Sequence, residues 1–98
     1  MSNTPWKLTV YKYPFPVRDE FTIEMPEQAK LLHVETQNGT PCLWALVHTG
    51  RPITSRRFRL AGTGHPITAP AGVHVGTFFM AGGELVWHLF DDGEVSRG

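Results

Sequence analysis

Ninety-eight residues, 41% of them hydrophobic and 18% charged, make one domain's worth of globular chain. Nine Lys and Arg balance nine Asp and Glu, so the overall charge gives no pull toward nucleic acid or an anionic membrane. A single cysteine excludes an internal disulfide, and no apolar run reaches the roughly 18 residues of a membrane-spanning helix.

The first residues, MSNTPWKLTVYKY, lack the apolar stretch of a secretory leader, which makes the cytoplasm the expected location. Residues 1–5 read as a loose tail. From Trp6 to Tyr13 the pattern alternates, with Trp6, Leu8 and Val10 on one face and Lys7, Thr9, Tyr11 and Tyr13 on the other. That is a strand, and Pro14 and Pro16 end it. Phe21, Ile23 and Met25 alternate with Thr22 and Glu24 in a second strand that stops at Pro26. Pro26 to Lys30 has the look of a single helical turn, with Pro at its start and Lys at its end.

Leu31 to Val47 carries the clearest local signal. Asn38-Gly39 lies between two apolar-rich runs, and a type I′ hairpin turn needs positive φ at both central residues. Pairing outward from this turn sets Glu35 opposite Cys42, Val34 opposite Leu43, His33 opposite Trp44 and Leu32 opposite Ala45. Pro41 then faces Thr36 in a pair that needs no N–H, so the outer side of that strand is expected to be unpaired or bulged there. Leu32, Val34, Leu43, Ala45 and Val47 form the expected core face. His33, Glu35, Cys42 and Trp44 share the other face, with Leu31 and Leu46 at its far end. A zinc or nucleophile reading of that His, Glu and Cys loses to plain cross-strand packing, since zinc needs three or four converging ligands.

Thr49-Gly50-Arg51-Pro52 is a turn. Arg56 to Leu60 reads as a strand antiparallel to the one before it, with Phe58 and Leu60 on one face and Arg57 and Arg59 on the other. Residues 62–72, GTGHPITAPAG, form an irregular loop. Val73 to Phe90 is a second hairpin about Gly82-Gly83, with Met80 opposite Leu85, Phe78 opposite Trp87 and Thr77 opposite His88. Phe78, Met80, Leu85, Trp87 and Leu89 line one face; Val75, Phe79, Val86 and Phe90 line the other. Two apolar faces place this hairpin inside a sandwich or barrel, or against another chain. The fold expected is a single all-β domain over residues 1–98. It is a small sandwich or barrel of about seven antiparallel strands, with frayed tails at 1–5 and 92–98.

Several strings together resemble one family: Lys12-Tyr13-Pro14-Phe15-Pro16, Ile23-Glu24-Met25-Pro26, Gln37-Asn38-Gly39, Pro41 to Val47, Arg57-Phe58, Gly62-Thr63-Gly64-His65, Gly76-Thr77-Phe78 and Val86-Trp87-His88. Over roughly residues 11–90 the chain is similar to short uncharacterised proteins of bacteriophages, prophages and their hosts. The resemblance implies a phage or prophage origin and action in the host cytoplasm. It brings no catalytic residues and no cofactor.

Candidate binding residues follow from the side chains. Arg51, Arg56, Arg57 and Arg59 form a basic cluster; Arg57 and Arg59 share a strand face that can meet phosphates or an acidic protein surface, or the cluster can pair internally with Asp19, Glu20, Glu24 or the tail acids Asp91, Asp92 and Glu94. The zero net charge favours internal pairing and disfavours nucleic acid. Gly62, Gly64 and His65 lie in a loop able to present N–H groups to an anion. That loop lacks the Lys and Ser/Thr of a phosphate-binding P-loop, so a turn with His65 bonded to nearby backbone is favoured. Trp44 and Trp87 complete the set, because Trp, Tyr and Arg dominate interface energetics and Trp44, Trp87, Tyr11 and Tyr13 exceed what so small a core can hold. The five histidines lack metalloprotease spacing, and Cys42 reads as a packing residue. The function expected is a non-catalytic, phage-type accessory protein that binds a protein partner, an anti-CRISPR-like inhibitor being its sharpest form. A nucleotide- or ligand-binding domain and a homodimeric or virion component are the alternatives.

Overall fold

A computed structural model describes residues 5–67 and 72–95. Seven antiparallel strands run β1 (Leu8–Pro14), β2 (Glu20–Pro26), β3 (Lys30–Gln37), β4 (Thr40–His48), β5 (Ile53–Gly62), β6 (Val73–Met80) and β7 (Leu85–Glu94). They form a three-stranded sheet of order β1-β4-β3 and a four-stranded sheet of order β2-β5-β7-β6. The all-β reading with two tight hairpins holds, in the form of two sheets. One apolar cluster joins them: Ile23, Met25, Phe58, Leu60, Phe78 and Leu89 from one, Val34, Leu43, Ala45 and Val47 from the other. Phe15, in the β1–β2 connection, fills the space between, stacked on Phe21 and edge-on to Phe78.

The first turn forms where asparagine and glycine allow positive φ; the second is a 3-10 turn over Ala81–Gly83 in which Ala81, at φ 53°, joins the two glycines. Asn38 and Gly39 have φ of 52° and 82°, and Gly82 and Gly83 have 67° and 94°. The first hairpin keeps the expected register from Gln37↔Thr40 to His33↔Trp44, then slips at a bulge so that Leu31, not Leu32, faces Ala45. One extra residue reverses which side chains point inward. Leu32 is therefore 46% exposed, and Leu31 packs against the core in its place. Pairing of β4 with β1 ends at Cys42↔Pro14, just short of Pro41. The Pro41 carbonyl still accepts the Phe15 N–H at 3.0 Å.

The second hairpin keeps Met80↔Leu85, Phe78↔Trp87 and Thr77↔His88. A bulge between His74 and Gly76 turns Val75 onto the core, away from Phe79. This hairpin does not lie mid-sheet: β6 is an edge strand. It is sheltered by β3. A Cβ at Gly76 would sit 2.7 Å from Val34 Cγ1, so only glycine permits this approach. The Thr36 hydroxyl also donates to the Phe79 carbonyl at 2.7 Å.

Three further expectations are corrected. Glu27 and Gln28 form a tight turn with Gln28 at φ 61°, not a helical turn. β5 crosses to the other sheet and pairs with β2 and β7, not with β4. Residues 92–94 belong to β7 and are not frayed, because Asp92 anchors them through Arg59. Residues 1–4 and 96–98 of the expected tails, and 68–71 of the expected loop, lie outside the described residues.

Candidate functional site

Among the described residues, Arg56 and Arg59 of the basic cluster form ion pairs, Arg51 donates to the Gln28 side chain at 2.6 Å, and Arg57 pairs with no carboxylate. The strand alternates, so Arg56 turns to the same side as buried Phe58, while Arg57 and Arg59 turn outward. A bulge in the β5–β7 ladder, with Phe58 opposite Asp91 and Arg57 opposite Gly93, adds Asp92 as an extra residue. Two consecutive carboxylates can then serve two sides of the sheet. Arg56 grips Asp91 bidentately, Nε to Oδ1 at 3.1 Å and Nη2 to Oδ2 at 2.6 Å, and its Nη1 donates to the Ala29 carbonyl at 2.6 Å. Arg59 Nε meets Asp92 Oδ2 at 2.7 Å. Arg57 is exposed and, among the described residues, reaches the Asp92 carbonyl at 3.5 Å.

The glycine loop is a turn: His65 N–H donates to the Gly62 carbonyl at 2.9 Å, and Gly64 has φ 85°. The His65 ring lies close against Gly62, where a Cβ would approach Nδ1 to 2.7 Å. Its other contact is edge-on to Trp87, 6.3 Å between centroids. Among the described residues the His65 ring packs and does not hydrogen-bond to backbone. Gly62, His65 and Trp87 are thus brought together. His65 divides two shallow clefts, one of about 350 Å³ lined by Asp19, Glu20 and Arg59, the other of about 240 Å³ lined by Thr63, Glu84 and Trp87. Arg59 is neutralised by Asp92, and Asp19 and Glu20 add negative charge, so the larger cleft is poorly suited to an anion.

Trp44 lies elsewhere, on the outer face of the three-stranded sheet. There β4 turns Leu43, Ala45 and Val47 into the core and leaves Trp44, Leu46 and His48 outside. The ladder sets Leu8 beside His48, Val10 beside Leu46 and Lys12 beside Trp44. Trp6 continues the strip by stacking on His48, 4.2 Å between centroids and 19° between planes. Leu8 is 62% exposed, Val10 50% and Trp6 43%. Lys12, reaching Gln37 at 2.7 Å, and the exposed His33–Glu35 pair rim this face.

The alternation of Trp6, Leu8 and Val10 was legible, but such a pattern does not reveal which face of a strand is covered. The opposite face of β1 is covered in part: Thr9 and Tyr13 are half-buried, while Tyr11 is 42% exposed. Thr9, Tyr11 and Tyr13 pair with Val47, Ala45 and Leu43, and Tyr13 packs against the core. Burial first, and then the nearby Tyr11, pushes the Tyr13 phenol above its usual pKa.

The remaining reactive side chains are engaged in structure. Cys42 is 1% exposed. Both His88 ring nitrogens meet threonine hydroxyls, Thr63 at 2.8 Å and Thr77 at 2.9 Å. Among the described residues no three His, Cys, Asp or Glu side chains converge to hold a metal. No described helix is long and apolar enough to cross a membrane.

No curated protein and no solved structure matches the chain. A family model does match, over residues 7–97, a span that contains all seven strands. By that match the chain belongs to the family described as a domain of unknown function, DUF7352.

Proposed function

We propose that this protein works by binding another protein, and that the outer face of the three-stranded sheet makes the contact. One observation carries this reading: Trp6, Leu8, Val10, Leu46 and Trp44 form a continuous apolar strip on the outside of a very small domain. Contiguous apolar surface with aromatic anchors and a polar rim is the composition of protein interfaces. A catalytic reading would need an accessible nucleophile beside a base and an oxyanion donor. The buried thiol of Cys42 and the threonine-bound ring of His88 are poor material for one.

The resemblance to phage and prophage proteins supports the finer form of the proposal. In that form the chain is a phage-type accessory protein in the host cytoplasm that binds a host or viral complex and inhibits a defence system, as an anti-CRISPR does. Capture from host lysate with three baits tests the proposal: wild type, Leu8→Glu/Val10→Glu and Arg57→Glu. A partner recovered by wild type and Arg57→Glu, and lost by the double variant at unchanged thermal stability, is the expected result. Equal recovery by all three, or recovery of nothing, would refute the surface assignment.

A further inference from the structure

We infer that the open edge of β1 takes an extended strand of the partner, one that alternates apolar and acidic residues. This rests on the protein-binding reading above and specifies its chemistry. Thr49 N–H donates to the Lys7 carbonyl, and Phe15 N–H donates to the Pro41 carbonyl, both at 3.0 Å. Odd-numbered residues from 7 to 15 therefore turn their backbone groups toward β4, and even-numbered residues turn theirs away. Leu8, Val10 and Lys12 each aim an N–H and a C=O past the edge of the sheet. Their side chains stand on the exposed apolar strip. Backbone pairing and side-chain burial thus become available to one extended segment at the same place, which is the combination that strand addition uses.

The other edges differ. β3 and β6 are both bulged and shelter one another through Val34 and Gly76. At β2, Leu60 N–H donates to Asp19 and Glu27 N–H to Pro52, so Glu20, Thr22 and Glu24 face outward, an acidic and polar edge. Natural sheets blunt their edges with charge, bulges and proline. β1 has an unbulged ladder with β4, and among the described residues its edge is blunted at its two ends, by Lys7 and by Lys12 with Pro14, leaving Leu8 and Val10 between them.

Charge selects the occupant. Lys7 and Lys12 flank the edge, and neither makes an ion pair among the described residues. Two copies joined through β1 would gather four lysines with no carboxylate on either edge strand. An acidic segment neutralises them, and apolar residues at alternate positions cover Leu8 and Val10.

The test titrates the full chain with three end-blocked peptides: alternating Val and Glu, alternating Val and Lys, and a Val/Glu peptide with proline at every third position. Amide hydrogen exchange is read residue by residue. The Val/Glu peptide is expected to slow exchange at Leu8, Val10 and Lys12 by about tenfold, and to bind about tenfold more tightly than the Val/Lys peptide. The proline peptide is expected to do neither. Equal binding of the two charge types, protection centred on Glu20 to Glu24, or the same protection from self-association without peptide would overturn the inference. Val10→Pro in the lysate capture separates the two proposals, because it removes one outward N–H at an edge where proline is tolerated. A partner lost by Leu8→Glu/Val10→Glu but retained by Val10→Pro keeps the binding face and refutes strand addition.

Discussion

The two sheets treat their charged and apolar residues in opposite ways. The four-stranded sheet holds Arg56, Arg57 and Arg59 and pairs two of them internally, Arg56 with Asp91 and Arg59 with Asp92. The three-stranded sheet has few charges, and its outer side carries Leu8, Val10 and Trp6 uncovered. A neutral total conceals this division. Two of the three arginines most suggestive of binding in the sequence are structural, and the apolar alternation of Trp6, Leu8 and Val10 stands on the solvent side.

The largest expected effect breaks the self-sufficient half. Asp91→Ala strands the Arg56 guanidinium, whose side chain is only 15% exposed. A loss of about 3 kcal/mol by urea unfolding is expected, the low end for a buried pair because some solvent reaches it. Arg56→Met combined with Asp91→Leu is expected to recover most of that loss. A single-variant loss below about 0.5 kcal/mol would equate the pair with an ordinary surface bridge.

Next comes the seam between the sheets. Gly76→Ala drives a methyl into Val34, which is 3% exposed. A cost of about 1–3 kcal/mol is expected from overpacking. Val34→Ala in the same chain is expected to cost less than the sum of the two single changes, and strict additivity would show that the strands do not meet there.

The three-stranded half is expected to tolerate what the other cannot. Leu8→Lys with Val10→Lys is expected to shift unfolding by no more than about 0.5 kcal/mol, since both side chains are exposed. A loss of several times that would mean the strip contributes to the core. The smallest effect is alkaline. Tyr13 holds its proton above the ordinary phenol value of 10.0. Above that pH the unfolded chain ionises first, so stability is expected to fall as pH rises through and beyond it. Tyr13→Phe is expected to flatten this decline, and an unchanged slope would assign it to other groups.

Features set by neighbouring residues were readable in advance. Asn38-Gly39 and Gly82-Gly83 announce their turns through the φ values they permit, and each turn then dictates its register. The bulges at Leu32, Val75 and Asp92 were not readable, because they answer to packing and pairing between distant segments. The partner of β5 was hidden for the same reason. Internal pairing of the arginines was anticipated from the zero net charge. Which arginine took which acid depended on the Asp92 bulge. Of the candidate residues, Gly62, His65 and Trp87 do assemble, Trp44 stands on the opposite sheet, and Trp6, Leu8 and Val10 were readable as a face but not as an exposed one.

One feature of β1 bears on the order in which the molecule is made. Among the described residues it pairs with β4 alone, so Pro14 must wait for Cys42 and Leu8 for His48 to leave the ribosome. The hairpin of β3 and β4 can close early from its own short loop, whereas the first strand synthesised docks only onto that finished ribbon. Until then the β4 edge stands open in place of β1, and the outward backbone groups of Leu8, Val10 and Lys12 fall into line only once β1 has docked.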